Sequence, residues 1–254
     1  MKRRLDQLLV DRGLAESRAR AQALVLAGKV YSGEKKLEKS GTNVPEDTPL
    51  EVRGVDPYVS RGGHKLAGAL QDLSVSVRGC VCVDIGASTG GFTDCALQEG
   101  ATRVYAVDVG KGQLAARLVQ DPRVVVRDKE NARHLNASSF NEPIDVVLVD
   151  ASFIGLEKLL AAIATILRPG GHVLALIKPQ FEVGRAEATR SKGVIRDPKI
   201  RGAAIDAALE SVRSHGFDVL GDAPCRVPGP KGNVEHFVYA VRHDVVAPAG
   251  PARE

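Results

Sequence analysis

The sequence has little sulfur chemistry to offer: its 254 residues hold four cysteines, Cys80, Cys82, Cys95 and Cys225, and no two form a Cys-x-x-Cys pair. Without such a pair, and with Cys82 in an apolar run that reads as a buried strand, reduced structural thiols in the cytosol are the expectation. Long apolar runs are missing as well. The longest uncharged one, residues 159–167, falls far short of the ~20 residues a membrane span needs and is expected to pack on a sheet. No apolar signal core follows the start Met1-Lys2-Arg3-Arg4-Leu5-Asp6, which moves directly into a polar amphipathic pattern. These absences point to a cytoplasmic protein without membrane contact. The six histidines show no ligand spacing, and no metal is expected.

What is present, 44% hydrophobic residues, suffices for one α/β core of ordinary size and a small appendage. The net charge of +4 is unevenly spread. Residues 1–65 carry thirteen Lys and Arg against nine Asp and Glu, while the remainder balances at twenty-two each. A basic excess at one end fits a segment facing a polyanion and equally a solvated surface.

Leu5, Leu8 and Leu9 recur at helical spacing up to Gly13, and Ser17 is placed to cap a second helix that carries Leu24 and Val25 and stops at Gly28. Val30-Tyr31, a Ser32-Gly33 turn, and Leu50 with Val52 then read as short strands of a small curled sheet. The cations gather at one end: Lys2, Arg3 and Arg4 before the first helix, Arg18 and Arg20 in the first turn of the second, Lys29 just beyond it. Arg18 and Arg20 stand at the positive end of a helix dipole, an unfavourable place that an external anion would offset, and RNA phosphates are the natural candidate. Through Arg4-Leu5-Asp6, Leu9, Gly13-Leu14, Ser17-Arg18, Ala21, Gly28-Lys29-Val30 and Gly33, the segment resembles the RNA-binding module first described in a small-subunit ribosomal protein. The resemblance implies an RNA-binding domain over residues 1–53. A structural cap with a solvated basic face is the competing reading.

Gly54 and Pro57 break the pattern, and residues 54–59 are expected as a linker. Beyond it, residues 81–85, 103–109, 124–127, 144–150 and 172–177 are apolar, β-branched runs, most with a helical stretch between them, which implies a parallel sheet covered on both faces. A helix over 200–214 and strands over 217–220 and 234–241 close the chain. The expected fold is α/β: a Rossmann-like methyltransferase sheet over 60–242 with a closing antiparallel strand, preceded by a small α+β domain and followed by a tail at 243–254.

The first strand runs into Asp84-Ile85-Gly86-Ala87-Ser88-Thr89-Gly90-Gly91-Phe92, where glycines let the backbone approach a ligand at the carboxyl edge of the sheet. The spacing is not the G-x-G-x-x-G of dinucleotide enzymes. Asp84 before the first glycine suits a cofactor with an ammonium group and would repel a pyrophosphate. Asp108, ending the second strand, can accept from both hydroxyls of a ribose. With both acids in register, S-adenosylmethionine is favoured over a nicotinamide cofactor, its site formed by Asp84, Gly86, Ala87, Ser88, Gly90, Gly91, Phe92, Asp108 and Val109. Asn131 is placed for an adenine edge and Phe153 for the adenine ring; loop and core roles fit both as well.

Asp150 closes the fourth strand and Lys178, before Pro179, the fifth, so adjacent carboxyl edges bring them together. Lys65 lies on the turn or first helix leading into the sheet, and Glu235 begins the last strand after Gly229-Pro230-Lys231-Gly232-Asn233. Any one alone reads as a surface charge or salt-bridge partner. Through Ser60-Arg61-Gly62-Gly63-His64-Lys65-Leu66, the run from Asp84 to Phe92, Asp108-Val109-Gly110, Asn131-Ala132-Arg133, Asp150-Ala151-Ser152-Phe153-Ile154, Lys178-Pro179-Gln180-Phe181-Glu182-Val183-Gly184 and Gly232-Asn233-Val234-Glu235, nearly the whole chain resembles the TlyA family. These are ribosomal RNA cytidine 2′-O-methyltransferases, often labelled haemolysins, whose catalytic half is similar to the heat-shock RNA methyltransferase FtsJ. The resemblance implies that Lys65, Asp150, Lys178 and Glu235 form a Lys-Asp-Lys-Glu catalytic set. It also implies that the partner is ribosomal RNA in ribosomal subunits, with no obligate protein partner evident. Glu130 departs from the family, where Thr tends to precede the Asn, and leaves the adenine-side contact open. The tail at 243–254 resembles the family's shorter form, which implies large-subunit RNA, with small-subunit RNA the alternative.

A ribose 2′-hydroxyl is a weak nucleophile and must lose its proton as it attacks a sulfonium methyl, so a base is required. Lys178 is the candidate, eased by burial and by the neighbouring ammonium of Lys65, with Asp150 and Glu235 orienting the amines. Competing readings are an RNA-binding assembly factor without chemistry, whose mark would be loss of one of the four residues, and a haemolysin, which needs a membrane-seeking segment. Segment 184–196, rich in charge and glycine, reads as a loop that closes over the site or as passive surface.

Overall fold

The structure, a computed structural model, describes residues 1–54 and 56–243; the expected tail beyond 243 lies outside them. The chain divides into two compact units between Pro57 and Tyr58.

In the first unit β1 (Lys2–Arg4) leads directly into α1 (Leu5–Asp11), and α2 (Arg18–Leu26) follows. Leu5, Leu8 and Leu9 of α1 bury against Ala21, Leu24 and Val25 of α2, the contact that a helical apolar period produces. Ser17 caps α2 by accepting from Arg20 N at 3.2 Å, and Gly28 follows it at φ +66°, a conformation that stops a helix and favours glycine. Next come β2 (Val30–Ser32), β3 (Lys35–Lys36), β4 (Asn43–Pro45) and β5 (Glu51–Val52). The sheet order is β3-β2-β5, while β4 pairs antiparallel with β1. Lys2 to Arg4, expected as a basic lead-in, are thus a strand, because β4 supplies the backbone partners that a free terminus lacks.

The second unit begins with α3 (Arg61–Asp72), followed by β6 (Val81–Ile85), α4 (Gly91–Gln98), β7 (Arg103–Asp108), α5 (Ala116–Val119), β8 (Val124–Asp128) and β9 (Ile144–Val149). Then come α6 (Glu157–Ile166), β10 (Leu167–Ile177), α7 (Pro179–Glu182), α8 (Arg185–Arg190), α9 (Pro198–Ser214), β11 (Phe217–Pro224) and β12 (His236–Arg242). Tyr58 and Val59, expected in the linker, already belong to this unit. Val59 N donates to the Asp94 carboxylate at 2.8 Å, and the Tyr58 ring meets His64 edge-on at 5.0 Å. Val109 and Glu235, expected inside strands, fall one residue outside β7 and β12.

The seven strands order as β11-β12-β10-β9-β6-β7-β8. Those from β6 to β10 are parallel, and β12 runs antiparallel between β10 and β11, as the sequence pattern led one to expect. Side chains alternate between faces. Val83, Ile85, Val147 and Val149 pack with Leu160 and Ile163 of α6 and Val212 of α9, while Cys82, Val146 and Leu148 pack with Leu66 of α3 and Phe92 of α4. Each fully buried Leu or Ile contributes about 1.5–3 kcal/mol, so this two-sided burial fixes the register of the sheet. No helix among the described residues is long and apolar enough to cross a membrane.

The chain moves outward from β6 to β7 and β8, then returns to β9 and β10 on the other side of β6. Strand order therefore reverses between β6 and β9, the place where an α/β sheet opens a crevice at its carboxyl edge.

Candidate active site

Glycines let the crevice walls close on one another. Gly86, just after β6, has φ +86°, and a Cβ there would lie 2.9 Å from the Asp150 carbonyl, so the ends of β6 and β9 can meet only around a glycine. At Gly91 a Cβ would stand 2.8 Å from Gly62 Cα, and this close crossing of the starts of α3 and α4 brings Lys65 to the crevice wall. Gly90 sits in the left-handed region at φ +96° as the residue preceding α4.

Asp84 does not line the crevice. It is wholly buried, and its Oδ2 accepts from Thr93 N at 2.9 Å and from Thr93 Oγ1 at 2.7 Å, tying β6 to α4. Burial pushes its pKa up to about 7, opposed by the Thr93 hydrogen bonds and assisted by the Asp150 charge. Its other oxygen, Oδ1, is buried with no hydrogen-bond partner among the described residues, so the expected contact with a cofactor ammonium is not offered by an exposed atom, while through Thr93 the carboxylate holds the turn.

Two adjoining cavities occupy the edge. One, ≈ 550 Å³, is lined by Asp108, Val109, Gly110, Gln113, Glu130 and Asn131 among others. The second, ≈ 670 Å³, is lined by Lys65, Asp150, Lys178 and Glu235, together with Gly86, Ala87, Ser88, Gly91 and Phe92. Gly86, Ser88, Asp150, Ser152 and Phe153 belong to both, so an extended ligand can pass from one to the other. Asp108 is fixed by backbone amides, accepting from Ser88 N at 2.8 Å and Gly110 N at 2.7 Å, and each oxygen keeps a lone pair for a further donor. Asn131 accepts from Arg133 N at 3.1 Å, and the neighbouring Glu130 is paired with Arg127 at 2.8 Å. Phe153 is 90% exposed, with φ +66° and its ring 5.4 Å from that of Phe181, at the junction of the cavities.

In the larger cavity the four charged residues form two ion pairs, Lys65–Glu235 buried and Lys178–Asp150 with its carboxylate partly exposed. Lys178 Nζ lies 2.6 Å from Asp150 Oδ1 and donates to Ser152 Oγ at 2.9 Å; Lys65 Nζ lies 2.6 Å from Glu235 Oε2. Each lysine thus faces its own carboxylate, an arrangement in which Asp150 and Glu235 can orient the amines. Gln180 Nε2 approaches the other Glu235 oxygen at 3.5 Å, and a Cβ at Gly229 would collide with that carboxylate. Asn233, almost fully buried, accepts from Ile195 N at 3.1 Å and donates to Gly193 O at 2.9 Å, so segment 184–196 is pinned beside the Glu235 loop. Ala188 and Gly193 of that segment line the larger cavity.

Residues 58–242 match the model of the FtsJ-like methyltransferases, and residues 3–48 that of the S4 domain. The chain is 42% identical over 238 residues to the 16S/23S rRNA (cytidine-2'-O)-methyltransferase TlyA of Mycobacterium tuberculosis, covering 93% of this chain and 88% of that protein. The chain belongs to the TlyA family of FtsJ-like methyltransferases. It is 38% identical over 239 residues to Hemolysin A of Brachyspira hyodysenteriae, covering 94% of this chain and 99% of that protein. A solved structure of a Streptococcus thermophilus protein described as a hemolysin superposes with a TM-score of 0.72 at 39% identity, covering 96% of this chain and 89% of the other.

Within this TlyA-family chain the expected site residues fall in distinct places. Lys65, Asp150, Lys178 and Glu235 share one cavity, and Asp108, Val109, Asn131 and Phe153 line its neighbour. Phe92, expected at the cofactor, borders the larger cavity but is 2% exposed and stacks on Phe237 at 6.1 Å, mainly a core contact. In the first unit Arg18, expected to lack an anion, finds one inside the chain: buried Asp6 accepts from it at 3.2 Å and from Arg4 at 2.9 Å. Arg3 pairs with Asp11 at 2.7 Å, and Lys29 donates to Gly54 O at 2.5 Å. Lys2 is exposed, and Arg20 is exposed in the first turn of α2. Ser152, Gln180, Gly229 and Asn233 are site residues that the sequence reading did not single out; Ser152, Gln180 and Asn233 lie within the motif runs of the resemblance, and the two glycines of the turn at 229–233 mark close backbone approach.

Proposed function

We propose that the protein transfers a methyl group from S-adenosylmethionine to the 2′-hydroxyl of a cytidine in ribosomal RNA, with large-subunit RNA the first substrate to test. The observation that carries this reading is the two Lys–carboxylate contacts, one buried and one partly exposed, sharing one cavity at the reversal of strand order. The adjoining cavity fits the cofactor by its chemistry: a fixed carboxylate at Asp108 suits a ribose diol, and the exposed Phe153 ring offers a stacking face at the junction. When bound, S-adenosylmethionine supplies an electrophilic methyl group.

The chain's own residues would do the rest. Lys178 stands where a substrate hydroxyl entering the larger cavity can hydrogen-bond to Nζ, with Asp150 and Ser152 fixing the direction of the amine. As the hydroxyl oxygen bonds to the methyl carbon and that carbon parts from its sulfur, the proton would pass to Lys178 in its neutral amine form, and Asp150 would oppose the positive charge that collects at Nζ. Lys65, held by Glu235, places a second positive group toward the developing oxyanion. The S4 domain match supports an RNA acceptor over a protein or small molecule, and the name of the Mycobacterium tuberculosis relative supports ribosomal RNA, a substrate that fits a place in the cytoplasm.

The test is tritiated methyl transfer from S-adenosylmethionine to separated ribosomal subunits by the wild type and Lys178→Ala. Label in large subunits that disappears with the mutant is the expected result. No label in either subunit, with cofactor binding intact, would overturn the reading in favour of an RNA-binding factor without chemistry.

A further inference from the structure

Asp6 is the most deeply placed charge of the first unit. Although it stands in the first turn of α1, none of its surface is exposed. Its Oδ1 accepts from Arg4 Nε at 3.1 Å and from Gln7 N at 2.9 Å. Its Oδ2 accepts from Arg4 Nη2 at 2.9 Å, Arg18 Nη2 at 3.2 Å and Gln22 Nε2 at 2.9 Å. The Arg4 hydrogen bonds are the largest influence holding this carboxyl below the usual carboxylate range, against the opposing effect of burial. One carboxylate therefore ties together β1, α1 and α2, which contribute Arg4, Asp6, and Arg18 with Gln22, respectively.

The two arginines are not consumed by this contact. About half of each side chain stays exposed, 48% for Arg4 and 53% for Arg18. A guanidinium carries five donors, and Asp6 engages Nε and Nη2 of Arg4 and only Nη2 of Arg18. Two long, flexible cations from different elements are thereby held side by side on one oxygen, with donors to spare. Fixing such side chains before binding removes the ordering cost that a ligand would otherwise bear. A phosphodiester, with two anionic oxygens, is the group that adjacent guanidinium forks recognise.

We propose that Asp6 is a positioning residue for RNA, holding Arg4 and Arg18 together as a preorganised clamp for a backbone phosphate. This rests on reading the first unit as RNA-binding. It goes beyond that reading because it gives an acidic, buried residue a positive part in binding a polyanion, opposite to what its charge alone would do.

That opposition makes the test sharp. Binding of the full chain to a fluorescein-labelled RNA hairpin is followed by anisotropy across a salt series. The comparison is wild type against Asp6→Asn, Asp6→Glu, Arg4→Ala with Arg18→Ala, and the triple variant with Asp6→Asn added. If Asp6 positions the clamp, Asp6→Asn weakens binding about tenfold despite the gain in net positive charge, and lowers the salt slope by about one. The same change has no further effect once both arginines are alanine. Asp6→Glu preserves charge while displacing the carboxylate by one methylene, so it weakens binding too and keeps the test valid if Asp6→Asn folds poorly. Equal or tighter binding by the Asp6 variants, with Arg4→Ala and Arg18→Ala weakening it, overturns the positioning role alone. Binding insensitive to both arginines overturns the RNA-facing reading of this surface and the clamp with it.

Discussion

Lys65 Nζ and Glu235 Oε2 stand 2.6 Å apart although 170 positions separate them in the chain, and both side chains are buried. The contact joins α3, which precedes the whole sheet, to the turn before its last-made strand, so the larger cavity exists only when the fold has closed. Removing one member of a buried pair strands the other charge without solvent or partner, which costs about 3–5 kcal/mol. Glu235→Gln is therefore expected to lower stability by an amount in that range and to abolish most methyl transfer. Urea unfolding of Glu235→Gln, Lys65→Met and the double variant checks it: the double should lose less than the two singles added, and strict additivity would sink the pairing.

Gly229 provides a subtler probe of the same carboxylate. A Cβ at this position would run into Glu235, while Gly229 N also donates to Asn233 O at 2.8 Å to form the turn. Gly229→Ala should leave the core intact and shift the carboxylate by a fraction of an ångström to an ångström, a displacement that can cost about 100-fold in rate. Single-turnover methylation alongside thermal unfolding decides it. A variant that is fully active shows that Glu235 tolerates the shift.

What could be read from the sequence, and what could not, follows from how far each contact reaches. The strand ends holding Asp84, Asp108, Asp150 and Lys178 were legible because apolar runs and their breaks are local signals, and parallel strands put such ends on one edge. The nearness of Lys178 to Asp150 followed from adjacent strand ends as well, whereas the contact of Lys65 with Glu235 depends on side-chain directions that no linear spacing records. Asp6 was hidden for another reason: an acid in the first turn of a helix already has a local explanation in the helix dipole, so nothing in the sequence calls for Arg18, twelve residues on. The burial of Asp84 was hidden for the converse reason, since its place before a glycine turn suits a ligand contact and nothing local announces that Thr93, nine residues later, takes one of its oxygens.

The raised pKa of Asp84 carries a pH signature. Its value of about 7 lies above the ordinary 3.8, so between those limits the native state holds more protons than the unfolded chain. The contribution to stability is full below the unfolded value and is lost as pH rises through the folded one. The gap corresponds to on the order of 4 kcal/mol. Asp84→Asn removes the titration, so its urea midpoint should fall less than that of the wild type between about pH 4 and about pH 8. Parallel pH profiles would show that Asp84 keeps an ordinary pKa in the folded chain.

Asn233 latches segment 184–196 through Gly193 and Ile195. Without the amide, a backbone donor and a backbone acceptor lose their partners, a loss of about 1–3 kcal/mol felt locally rather than across the sheet. Asn233→Ala should therefore make the bonds after Arg190 and Lys192 more open to trypsin and raise the KM for RNA more than it lowers kcat. Unchanged cleavage would show that the segment is held by other contacts.

The two lysines of the site are predicted to differ in what can replace them. Lys65 has to supply a positive group at Glu235, a role that a guanidinium can fill if it fits, whereas Lys178 has to take a proton from the substrate hydroxyl. Arginine stays protonated at any working pH and cannot act as a base. Lys65→Arg should therefore retain a measurable fraction of activity, while Lys178→Arg should be as inactive as Lys178→Ala even though it keeps the charge beside Asp150. Methyl transfer by both arginine variants, measured beside the wild type, is the check. Activity in Lys178→Arg comparable to that of Lys65→Arg would mean that both lysines act through charge and that the proton leaves by another route.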